Sequence, residues 1–497
     1  MKKRTYRIIG GIIIKQQIEV RTLPIRENRI GSTIVYGGKA SQMINETRKK
    51  CLKHADRTFN QGSACEEMLA TCTLLTVRDT VSIFHSPVGC STSTNGLNIF
   101  NRFGQLLRER PASNARWIST NLTEEDTVFG GEAKLKTAII ESDKRYSPEA
   151  IFILTSCVSG IIGDDIEAIA NSVQPRVKAS IVPIRCEGFR TKVWATAYDD
   201  AFYGVLKYLI HEAGPKQDDL VNIISPITIG RSDEIEIEKL LTKLGLKANI
   251  IPAFATVDQL KASAQAAASA SICPTYSEYY AKTLKDKYGI PYIQDVMPIG
   301  ISNTDRWLRQ LGAIFGKGEQ VEQVIAREHT TVLPKIEKLK NKLKGKRVYI
   351  SGGQSRAAFI PSLLDELGLK LVGITTYHHD YQSQEGFGDA VKRFGDFTIN
   401  VANMQPFEQA NILNKEKVDI YLGNENAVWA LKQGIPTSTI FNYLFLYIGY
   451  NGALAFGNKI LKAISNPGFS RNLSANTSLP YRNSWYDQNA FAYIRGE

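Results

Sequence analysis

Short apolar, β-prone runs alternate with longer helical stretches through nearly all of this 497-residue chain. That alternation restricts the fold more than any other feature. Candidate strands are residues 81–85, 151–155, 180–184, 220–224, 250–253, 347–351, 370–374 and 418–422, with helical segments such as 164–172, 279–288 and 354–366 between them. Parallel strands need crossover connections of one hand, so the pattern predicts an α/β chain of parallel sheets covered on both faces. At ~100–200 residues per domain, the length gives roughly three domains.

One stretch interrupts the alternation. From Asp305 to Lys346 the chain reads as helix and ends in Lys338, Lys340, Lys342, Lys344 and Lys346, a connector before a fresh doubly wound unit at Arg347. Gly214 and Pro215 mark a softer boundary. The division expected is an N-terminal arm (1–54), three Rossmann-like domains (55–213, 214–346 with the connector, and 347–465) and a polar tail (466–497) that wraps a neighbour. The apolar run from Ile8 to Ile14, broken by two glycines, is too short to span a membrane and no small-residue cleavage site follows it. It reads as a pair of strands or a packing arm, and a cytoplasmic location is expected.

Hydrophobic content of 43% and charged content of 22% are those of a soluble globular chain. The net charge of +12 raises nucleic-acid binding, but the basic residues are scattered, with no aromatic-interleaved stripe and no zinc-finger spacing. A surface that steers an acidic protein partner accounts for it as well.

The seven cysteines are Cys51, Cys65, Cys72, Cys90, Cys157, Cys186 and Cys273. No CxxC pair occurs, which disfavours zinc knuckles and thioredoxin chemistry, and an odd number disfavours a disulfide framework. Working loops of parallel sheets lie at the carboxyl ends of strands. Cys90 and Cys157 each follow a candidate strand, and Cys273 closes the short run 270–272. Buried structural thiols fit those positions as well as cofactor ligands do.

Five motifs in order narrow the choice. Ser86-Pro87-Val88-Gly89-Cys90 resembles the cluster-ligating turn of nitrogenase component-one alpha subunits. Glu125-Asp126-Thr127-Val128-Phe129-Gly130-Gly131 with Lys134, then Ser156-Cys157 with Gly160-Ile161-Ile162-Gly163-Asp164-Asp165-Ile166, resemble that family's next elements. Arg185-Cys186-Glu187-Gly188-Phe189-Arg190 is similar to an alpha-type segment, and Cys273 followed by Lys287-Tyr288-Gly289-Ile290-Pro291 has the spacing of the cofactor-ligating cysteine.

The resemblance implies that Cys65, Cys90 and Cys157 bind an 8Fe–7S P-type cluster, or a 4Fe–4S one, at the interface with a homologous beta-type subunit of an alpha2beta2 heterotetramer. It implies a second large iron–sulfur cofactor (8Fe–9S–C-like) on Cys273, and an ATP-dependent iron protein as electron donor, since this chain has no P-loop. Cys51, Cys72 and Cys186 are read as structural.

The departures from the family pattern are equally informative. Phe441 stands where the family's histidine ligand is expected, Trp194 and Tyr198 replace its active-site Gln and His, Asn98 and Ser355 replace two arginines, and Glu425 replaces a lysine that helps hold homocitrate. Burying a multiply charged anion without cations costs several kcal/mol, so the cofactor is expected to lack homocitrate and molybdenum. Trp194, Phe441 and Tyr377 are expected to wall a pocket for a small apolar substrate, with Tyr198 as donor and His378 or His379 as ligand or proton relay. These features resemble the methylthio-alkane reductases. Alternatives are a cofactor-assembly scaffold, an alternative nitrogenase, or a metal-free Rossmann-type binding module.

Overall fold

The computed structural model describes residues 6–9, 12–15 and 20–496, apart from 22–23, 30, 53–54, 60–63, 93, 212 and 294. Three parallel sheets form its framework. In the first, Trp117–Ser119, Thr80–His85, Ala150–Thr155 and Ser180–Ile184 lie in that order, with Phe84 opposite Leu154 and Leu154 opposite Ile184. Every residue of Thr80–His85 and Ala150–Thr155 is buried. Such continuous apolar runs need helices on both faces, which is why alternation along the chain predicted them.

The second sheet runs Lys247–Pro252, Gln217–Ser225, Ala266–Ser271, Tyr292–Ile293, again all parallel. The third has six strands, Thr437–Ser438, Ile420–Gly423, Arg347–Gly352, Lys370–Thr376, Thr398–Val401 and Tyr36–Lys39. Its last member is antiparallel and comes from the N-terminal region, with Gly38 paired to Ile399. Helices Ile301–Phe315 and Gly318–Leu343 fill the expected connector. Among the described residues, no helix is long and apolar enough to cross a membrane.

The first segment forms an antiparallel pair, Tyr6–Ile9 with Ile12–Lys15. The terminal stretch packs on this chain: Ile494–Gly496 pairs with Ala55–Arg57, and the buried Trp485 donates its Nε1–H to the Phe407 carbonyl at 2.9 Å.

In each sheet the order reverses direction between two central strands. The switch falls between Thr80–His85 and Ala150–Thr155 in the first, between Gln217–Ser225 and Ala266–Ser271 in the second, and between Arg347–Gly352 and Ile420–Gly423 in the third. Crevices for ligands form outside the carboxyl ends of strands at such points. Cys90 and Cys157 follow the first pair, Cys273 follows one member of the second, and Ser355 and Glu425 follow the third. Two large apolar cores join the sheets, and Cys273 packs at the edge of both.

Candidate functional site

Three thiols gather on one face of the first domain. Cys65 precedes the helix Glu66–Leu74, Cys90 lies in the short turn Val88–Ser91, and Cys157 opens the helix Cys157–Ile162. Gly188 sits among them: a Cβ there would lie 3.0 Å from Cys65 Cβ and 3.4 Å from Cys157 Sγ, so a side chain would crowd the face. Cys65 and Cys157 are exposed and Cys90 is half-buried. Burial raises the Cys65 thiol above its usual range, against amides of its own helix that lower it. Burial, then the nearby Glu67, Cys65 and Cys157 charges, push Cys90 up to about 11.

Among the described residues no three His, Cys, Asp or Glu side chains are close enough to hold a single ion.

The scaffold behind this face is built by the motifs read in the sequence. His85 Nε2 bonds Asp164 Oδ2 at 2.8 Å, and the Gly131 amide donates to Asp164 Oδ1 and Oδ2 at 3.2 and 3.0 Å. A Cβ on Gly131 would fall 2.6 to 2.8 Å from Leu122, His85 and Asp164, so only glycine lets the two motifs meet. Asp126 accepts from the Thr123 amide at 2.6 Å and pairs with Lys134 at 2.5 Å. The apolar members of the same motifs point outward: Phe129 is 81% and Ile161 76% exposed, and Val88, Val128 and Phe189 are exposed as well. On the helix Thr94–Leu106, Ile99, Phe103 and Leu106 are also exposed.

The second constellation forms where the second and third sheets meet. Cys273 caps the helix Pro274–Tyr288, and its carbonyl accepts from the Tyr276 and Ser277 amides at 2.9 and 3.1 Å. The third domain reaches over with Ser355, whose Oγ accepts from the Thr275 amide at 3.0 Å. Trp194 meets Tyr377 edge-on with ring centres 5.3 Å apart, and the Tyr377 hydroxyl donates to the Glu425 carboxylate. Tyr198 lies edge-on to Tyr276 at 4.7 Å. Burial, then the charge on Cys273, raises the Tyr198 hydroxyl well above its usual range, so it stays a neutral donor. An open cleft of about 750 Å³ begins beside Pro274, lined among others by Glu278, Arg306, Tyr381 and Gln382.

The two candidate histidines part company. His379 is tied on both sides, Nε2 to Thr47 Oγ1 at 3.0 Å and Nδ1 to Ser383 Oγ at 3.0 Å, which leaves no nitrogen for a metal. His378 is 4% exposed, yet neither ring nitrogen has a partner. Burial pushes it down to about 3, which keeps the ring neutral. The Arg26 Nη1 and Asp380 Oδ2 atoms are also buried without hydrogen-bond partners and face each other as an ion pair at 3.9 Å. Arg26 Nη2 donates to the Thr275 carbonyl at 2.6 Å, which ties this polar group to the loop of Cys273.

Phe441 offers less ring to the pocket than its position suggests. It is 1% exposed, stacked on Tyr447 at 4.9 Å, and held at a φ of +53°. The Arg356 guanidinium lies 4.7 Å from its centre and also acts on Tyr198 and Tyr377. A cation therefore does reach this pocket, from the residue next to Ser355. Sequence reasoning missed Arg356 because it is displaced by one position, and missed Arg26 because it is an isolated arginine in the arm. Asn98 points elsewhere and accepts from the Ala115 amide at 2.9 Å.

A family model described as nitrogenase component 1 type oxidoreductase matches residues 65–465. The chain belongs to that family. The matched span starts at Cys65 and ends with the helix Gly449–Ser465. Among curated component 1 relatives, the nitrogenase molybdenum-iron protein alpha chain of Methanothermobacter thermautotrophicus is 31% identical over 406 residues, 79% of this chain and 85% of that protein. The nitrogenase iron-molybdenum cofactor biosynthesis protein NifE of Methanococcus maripaludis is 28% identical over 442 residues, 86% and 90% of the two chains. A solved component 1 structure, nitrogenase Cp1 at pH 5, superposes with a TM-score of 0.71 over 86% of this chain and 93% of that one at 22% identity, which speaks to the fold.

Proposed function

We propose that this chain is the alpha-type subunit of a nitrogenase-like iron–sulfur reductase, active in complex, whose chemistry is reductive C–S cleavage of small methylthio-alkanes and not dinitrogen reduction. The observation that carries it is the setting of Cys273. A half-buried thiol stands at the meeting of two sheets, in a region that also holds Trp194, Tyr377, Tyr198 and a buried neutral imidazole, His378, with both nitrogens unpartnered.

Those residues fit a second iron–sulfur cofactor. Cys273 would hold it by thiolate and His378 by a ring nitrogen, and the bound group would supply low-potential electrons there. Trp194 and Tyr377 exclude water and favour an apolar thioether. Tyr198 keeps its proton and presents it as a hydrogen-bond donor. Glu425 is held by Tyr377 where the family's homocitrate-binding lysine is expected, and its negative charge disfavours an organic polyanion. Arg356 offsets part of that charge, so the absence of homocitrate and molybdenum rests on Glu425 and on Ser355 being neutral.

Cys65, Cys90 and Cys157 would hold an interfacial cluster, completed by thiolates of a beta-type partner that covers the exposed Val88, Phe129, Ile161 and Phe189. An ATP-driven iron protein would dock on the alpha–beta pair and supply electrons.

A second reading has its own support, since the NifE relative matches slightly more of this chain than the molybdenum-iron alpha chain does. A cofactor-assembly scaffold would keep both sets of thiols. The deciding experiment gives the anaerobic complex ATP, its iron protein and ethyl methyl sulfide. Cleavage takes two electrons and two protons, giving methanethiol and ethane, and both products are expected. No product, with cluster transfer to an apo-nitrogenase, would favour the scaffold, and a pale, iron-free complex would defeat both readings.

A further inference from the structure

Cys90 and Cys157 follow the carboxyl ends of strands in the first sheet, and the opposite end of that sheet carries a different kind of site. At the amino ends of Thr80–His85 and Trp117–Ser119 lies a cleft of about 310 Å³, lined among others by Arg78, Asp79, Gln105, Arg110 and Arg116. Among the described residues none of these three guanidiniums has an ion-pair partner. Nearby arginines differ: Arg108 pairs with Glu234, and Arg231 with both Glu234 and Glu238.

The bonds these arginines do make hold them in place without neutralising them. Arg110 Nη1 donates to the Phe254 carbonyl at 3.1 Å, and Arg116 Nη1 to the Tyr146 carbonyl at 3.4 Å. The Arg78 amide donates to the Ala255 carbonyl at 2.7 Å, which leaves its side chain to the cleft. Asn101 Nδ2 donates to the Ser113 carbonyl at 2.9 Å and so fixes the loop that carries Arg110 and Arg116. Gln105 is 7% exposed and lines the cleft, yet its side-chain amide bonds to no protein group. Burial, then the charges of Arg78 and Arg108, lower the Arg110 guanidinium below its usual value, as expected where cations crowd together.

Three arginines against Asp79, the one acid among the lining residues, leave a surplus of two positive charges. Guanidinium forks match phosphate and carboxylate oxygens in pairs. A phosphate monoester carries about −1.5 to −2 near neutral pH, which meets that surplus where a single carboxylate would not. The volume lies at the small end of ligand pockets, roughly 300–1,000 Å³.

We propose that this cleft binds a small phosphate monoester, its phosphate gripped by Arg78, Arg110 and Arg116 and hydrogen-bonded by Gln105. Exposed Asp79 disfavours a second anionic group on the organic part. Because Arg78 and Arg110 are tied to the loop after Lys247–Pro252, the ligand would also join the first and second domains. The site does not depend on how the thiol face is read.

The test is equilibrium dialysis of the complex of this chain with its partner, prepared without phosphate, against radiolabelled glycerol phosphate, inorganic phosphate or succinate. Glycerol phosphate should bind saturably, once per copy of this chain, and more tightly than the other two. Arg116→Gln should weaken it about tenfold or more, the loss expected for a charge-assisted hydrogen bond. Arg116→Lys should recover only part, since an ammonium lacks the fork. Arg78→Gln combined with Arg116→Gln should remove saturable binding. Neither side chain is buried, so the double variant should keep the wild-type unfolding midpoint, and it decides the matter even if Arg110→Gln fails to fold. Absence of saturable glycerol phosphate binding to the wild-type complex, or undiminished binding in the double variant, would overturn the proposal. Equal affinity for inorganic phosphate or succinate would overturn the assignment to a monoester.

Discussion

Arg26 grips Asp199 through two hydrogen bonds, Nε to Oδ2 at 3.1 Å and Nη2 to Oδ1 at 2.9 Å, with the guanidinium wholly out of solvent. Arg29 adds Asp199 and Glu278 to the same knot. The arm, the helix Thr196–Tyr208 and the helix after Cys273 are clamped at one point. Removing one member of a buried pair strands the other, at about 3–5 kcal/mol. Arg26→Ala should therefore lower the unfolding midpoint sharply, and Arg26→Lys should recover only part of it, because an ammonium cannot fill both prongs. Denaturant unfolding of the three proteins checks this.

His378 and His379 are adjacent and should fail differently. His379→Ala strips partners from Thr47 and Ser383 and should cost about 1–3 kcal/mol with cofactor content unchanged. His378→Ala breaks no side-chain hydrogen bond, so its cost to stability is that of the cavity left by the buried ring, while cofactor iron falls. Equal iron content in the two variants would remove His378 from the ligand set.

Acid should weaken the fold through His379. Burial pushes it down to about 4, below the ~6.5 of an exposed imidazole. For a histidine depressed in the folded state, the unfolded chain binds the proton first, so the contribution is intact above ~6.5 and is lost as pH falls toward 4. His379→Gln should reduce the dependence of melting temperature on pH between 7.5 and 5 without abolishing it, because the buried His378, pushed down to about 3, contributes with the same sign.

Cys65→Ala, Cys90→Ala and Cys157→Ala should each lower the visible absorption and iron content of the complex while secondary structure by circular dichroism stays the same. Cys186 is fully buried and its Sγ meets the Thr155 carbonyl at 3.3 Å, so Cys186→Ala should cost stability and spare the iron.

Cys273→Ala should abolish turnover and leave the interfacial spectrum intact. Elemental analysis should find iron without stoichiometric molybdenum; a one-to-one molybdenum content would overturn the argument built on Glu425.

Much of the framework was legible because burial on both faces demands unbroken apolar runs. Residues 180–184 and 354–366 match the strand Ser180–Ile184 and the helix Gln354–Glu366. The strand Ala266–Ser271 went largely unread because it is made only of alanine and serine, which pack tightly but carry no β-branched signature. Trp117–Ser119 is too short to show a period. The cysteines stood out through motif spacing.

The sheet edge formed by Tyr36–Lys39 bears on synthesis. This segment leaves the ribosome long before its hydrogen-bonding mate, Thr398–Val401. At ~5–20 residues per second the delay is on the order of tens of seconds, during which a β-forming edge has nothing native to join. Nascent molecules should thus depend on chaperone shielding of this edge, and slower translation should lower the yield of correctly closed protein.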